Sequence, residues 1–89
     1  MQGDKETAMR KKYVTVEVLW DKDGGIRPEA ILWENNGEME TYAIDQILSG
    51  PRAMPSAAGG VGKRYEVVIR KQHRNLFLEK DKWFIETRE

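Results

Sequence analysis

The sequence predicts a small all-β protein: one antiparallel barrel of five or six short strands, SH3-like as the first form and OB-like as the second. Three observations lead there. Apolar residues alternate at period two over much of the chain. The intervals carry tight-turn combinations, DKDGG at 21–25 and NNG at 35–37. No stretch has the length and periodicity of a long helix, so a sheet that must bury one face has only itself to curl around.

Residues 13–20, YVTVEVLW, are the first strand. Val14, Val16, Val18 and Trp20 share one face, and Thr15 and Glu17 the other. Residues 26–34, IRPEAILWE, follow the first turn. Their alternation breaks, with Ile26, Ala30 and Leu32 in one phase and Ile31 and Trp33 in the other. Pro28 cannot donate to a ladder, so it belongs at an edge, a strand start or a bulge. The broken alternation fits a bulge near Pro28 or a strand buried on both faces.

A third strand begins near Glu40, with Tyr42 and Ile44 alternating. Ile47 and Leu48 then fall at helical spacing, which predicts a single helical or 3₁₀ turn at AIDQILSG. Residues 50–64, GPRAMPSAAGGVGKR, read as a long loop with no periodicity. They hold four of the eight glycines and two of the three prolines. That loop sits where an OB barrel usually carries a helix, which ranks the OB form second. KRYEVVIRK at 63–71 is a strong strand with Tyr65, Val67 and Ile69 inward. NLFLE at 75–79 and WFIE at 83–86 complete the set. In them Phe77 and Phe84 fall out of phase with their apolar neighbours, which predicts exposure or an edge, whereas Trp83 and Tyr65 read as core.

The 89 residues suffice for one domain, at 13–86, after a disordered tail at 1–12. A chain this short buries only about 60% of its unfolded surface. With no cysteine it has no disulfide or thiolate metal site to help, and it fits a reducing, cytoplasmic setting. The apolar payload rests on eight aromatics, three of them tryptophan. Fifteen basic and fifteen acidic side chains cancel, which argues against nonspecific coating of nucleic acid but leaves room for a local basic patch. No apolar run reaches a membrane span.

Catalytic, cofactor and metal sites are not expected. GGVGKR at 59–64 has Ala57 where a phosphate-binding P-loop needs its first glycine and Arg64 where it needs Ser or Thr, and a strand follows instead of a helix. One histidine, His73, lies in a polar turn, and a triad assembled with Ser49 or Ser56 and Asp45 lacks a nucleophile elbow. The expected role is a noncatalytic binding module for a protein partner. Its contacts would be Trp33, Arg52, Gly59, Gly60, Lys63 and Arg64, because glycine-rich backbone between basic residues can cradle an anion. The alternative is nucleic-acid contact through Arg52, Lys63, Arg64, Arg70 and Arg74. A homodimer through an unpaired edge is a further expectation, with WFIE as the least protected strand.

The segments IRPEAILWENNG, TYAIDQIL, GGVGKRYEVVIRK and LFLEKDKWFIE together resemble a family of small uncharacterised bacterial proteins, mainly Gram-positive. That family carries W-x-x-G-x2-Y-x-I-D, then a Gly-rich R-Y-x-V-x-I strand, then W-F-[IV]-E; here the interval at 34–41 is slightly longer. The resemblance spans nearly all of 13–86. It implies the fold and a bacterial cytosol, and no mechanism.

Overall fold

The computed structural model describes residues 9–88. Seven strands follow in order: β1 (Arg10–Trp20), β2 (Ile26–Asn35), β3 (Glu38–Ala43), β4 (Gln46–Pro55), β5 (Val61–Ile69), β6 (Gln72–Glu79) and β7 (Lys82–Thr87). They form one sheet in the order β3-β2-β1-β7-β6-β5-β4, and every neighbouring pair is antiparallel.

The sheet curls into a half barrel. Its two edge strands, β3 and β4, are joined by only Ile44 and Asp45. The Ile44 N–H donates to the Glu29 carbonyl of β2 at 2.9 Å, and the Asp45 N–H to the Val68 carbonyl of β5 at 2.9 Å. This short link ties one half of the sheet to the other without a ladder between the edges. The expected helical turn at AIDQILSG is absent, because Ile47 and Leu48 continue into β4.

The largest correction concerns residues 50–64, expected as a loop. They are the two arms of the β4–β5 hairpin, with a tip at 56–60. This supplies the seventh strand. Its alternation is hidden because the register slips on both sides of Ser49. Gly50 sits at φ +107° and passes so close to β5 that a β-carbon there would overlap the Arg64 carbonyl. Pro51 and Pro55 are tolerated because β4 is an edge. The bulge at Pro28 is present, since Glu17 pairs with Ala30 but Val18 with Pro28.

Strand β1 starts at Arg10, three residues before the expected Tyr13 and inside the segment read as a tail; the rest of that reading, at 1–8, lies outside the described residues. WFIE is not an edge. Strand β7 lies in the middle of the sheet between β1 and β6.

The concave face holds the main core: Ile31, Tyr65, Val67, Ile69, Leu76 and Ile85, with Trp83 packed against it. Burial pushes the Tyr65 phenol above its ordinary pKa. The convex face carries a second apolar cluster. Phe77 and Phe84, expected to be exposed, are each 1% exposed and stack with ring centres 5.0 Å apart. Tyr13 meets Phe84 edge-on at 5.8 Å. The β4–β5 tip folds onto this face. Ser56 Oγ donates to Glu86 at 2.8 Å and the Ala57 N–H to the same carboxylate at 2.7 Å, while Gly62 lies against the Phe77 ring. The hairpin thus buries aromatic rings that the alternation rule assigns to solvent.

Candidate basic groove

The open end of the half barrel forms a groove of about 910 Å³. Its floor is formed by the buried core residues Ile31, Ile69 and Ile85. Trp33 of β2 and Tyr42 of β3 stand on one wall. Arg10 and Lys12 come from β1, Arg74 from β6, and Arg70 from the β5–β6 turn.

Strand periodicity brings these cations together. Arg10 and Lys12 share the phase of Val14 and Val16, so they extend the concave face past the apolar core. Arg74 shares the phase of Leu76 for the same reason. Arg70 and Lys71 both take left-handed conformations, φ +52° and +65°, as a tight hairpin turn requires. The Asp45 carboxylate accepts the Arg70 N–H at 3.2 Å and pins that turn.

Two cations rest on the aromatic walls. The Arg70 guanidinium lies 4.4 Å from the Tyr42 ring centre, and the Lys12 ammonium 5.0 Å from that of Trp33. Arg74 donates to Gln72 at 3.1 Å. Among the described residues, none of Arg10, Lys12, Arg70 and Arg74 forms an ion pair. Among the described residues, no carboxylate lines the groove. Glu40, at its rim, accepts the Tyr42 hydroxyl; that hydrogen bond, and then burial, raise the Tyr42 pKa. The backbone of Lys11 passes the groove, but its ammonium is committed to Glu79 at 2.9 Å.

Of the residues singled out in the sequence, Trp33, Arg70 and Arg74 meet here. Arg52, Lys63 and Arg64 do not; they lie on the β4–β5 hairpin, where Arg52 faces Arg64 and Ala53 faces Lys63 in the ladder. The Gly59 N–H is spent on the Ser56 carbonyl at 2.9 Å, and Gly60 packs beside Glu79 as well as Lys11. Arg10 and Lys12 were hidden by the tail assignment, although their period-two spacing to Val14 was the available signal. His73 is exposed, while Ser49 and Ser56 are bonded to Glu66 and Glu86.

Among the described residues there is no cluster of acidic or histidine side chains able to hold a metal ion, and no helix long and apolar enough to cross a membrane. No family model, curated protein or solved structure matches the chain.

Proposed function

We propose that this chain is a noncatalytic binding module of the small SH3-like kind, working in the cytoplasm, whose groove takes a single strand of nucleic acid. One observation carries the reading: four cations that have no carboxylate partner among the described residues converge on a groove walled by Trp33 and Tyr42. Basic grooves that track a phosphate backbone beside aromatic side chains are the usual means of holding single strands. The cations already cover the ring faces of Trp33 and Tyr42. Phosphate contact therefore dominates, and base preference is weak.

The test is fluorescence anisotropy with a labelled oligothymidylate across a salt series. Four phosphate contacts predict a log–log slope of about −3, at roughly 0.7 per contact on a single strand. Replacing both Arg70 and Arg74 with Ala cuts that slope by about half. Absence of binding at low salt, or binding indifferent to the double substitution, overturns the reading. Equal competition by polyglutamate makes the ligand an acidic polypeptide instead.

A further inference from the structure

We infer that the far half of β1 is a self-pairing edge through which two copies of this chain join their sheets. Strand β1 pairs with β7 only from Arg10 to Val14, because β7 begins at Lys82. Beyond that point residues 15–20 pair with β2 on one side and, among the described residues, have no strand on the other. This free edge is rich in β-branched and apolar residues and ends in Leu19 and Trp20, which are 48% and 66% exposed. An unpaired edge of this composition is a template for strand addition.

The occupant is a second copy because the segment is self-complementary in one register. Side chains that meet across an antiparallel two-fold must share a face, so the axis has to pass through a residue. An axis at Val16 would need Val14, which β7 already occupies. An axis at Glu17 sets two carboxylates directly opposite, and one at Leu19 sets Glu17 against Asp21; both are unfavourable. An axis at Val18 sets Val18 against Val18, Val16 against Trp20, and Glu17 against Leu19, with no like charges opposed. In that register the second copy's Trp20 arrives beside a notch of about 300 Å³ bordered by Val16 and Trp83. The chain's net charge of zero adds no long-range repulsion between copies. The interface lies at the opposite end of β1 from Arg10 and Lys12, so it is independent of what the groove binds.

Sedimentation velocity over a concentration series tests the proposal. The expected result is a reversible dimer that Trp20→Glu abolishes, with an unchanged thermal melt of the dilute protein. The chain has no native cysteine, so Val18→Cys should bridge two copies on oxidation, whereas Leu19→Cys, displaced from the axis, should not. A monomer at every concentration overturns the inference and leaves the edge to a different protein. A dimer indifferent to Trp20→Glu, or equal bridging through Leu19→Cys, also overturns it.

Discussion

Phe84 shows how far a residue's fate depends on what folds over it. It belongs to the convex face, yet it is covered by Phe77, Tyr13 and the Lys11 ammonium, 4.9 Å from its ring centre. Phe84→Ala is expected to cost about 3–5 kcal/mol in urea unfolding, a large share of a small domain's stability. Beside it, Glu79 accepts from Lys11 at 2.9 Å and from Tyr13 at 3.0 Å. Those bonds, Lys11's first, hold its carboxyl below the ordinary carboxylate range. The same bond raises the Lys11 pKa. A depressed folded pKa gives stability that is present above the unfolded value and lost as pH falls through the folded one. Melting temperature should therefore drop as pH falls below the usual carboxylate range, and Glu79→Gln should flatten that acid limb.

The element that departs most from its sequence pattern is the β4–β5 hairpin. Its arms look like loop because Gly50 and Pro51 interrupt the alternation, and because an edge strand needs only one good partner. Gly50→Ala combines a left-handed φ with overlap on the Arg64 carbonyl. The expected loss is about 1–3 kcal/mol by denaturant titration. The tip should then loosen from Glu86, which amide exchange at Ala57 would report through its N–H bond to that carboxylate.

For the molecule as a whole, the curl of the sheet decides where charge collects. Arg10 at the start of β1 is far in sequence from Arg70 and Arg74 of the β5–β6 hairpin, yet all three share one groove. Their mutual repulsion is not relieved by an ion pair among the described residues. Added salt should raise the melting temperature. Arg10→Gln with Arg74→Gln should stabilise the fold by about 0.5 kcal/mol while weakening oligonucleotide binding, the trade expected of a site built from like charges. A melt insensitive to both changes would show that the cations do not feel one another.

By itself the sequence determined the all-β class, the turns at 21–25 and 35–37, and the inward phase of Tyr65, Val67 and Ile69. These follow from period-two alternation and from turn chemistry, which are local. Trp33, Arg70 and Arg74 were recognisable as candidates, because an aromatic or a cation at a strand end is visible in one dimension. Only the tertiary structure decided that they meet Arg10 and Lys12, that Phe77 and Phe84 are buried, and that WFIE is central. Each of those depends on which strand lies beside which, and strand order is set by pairing between distant segments that no local pattern encodes.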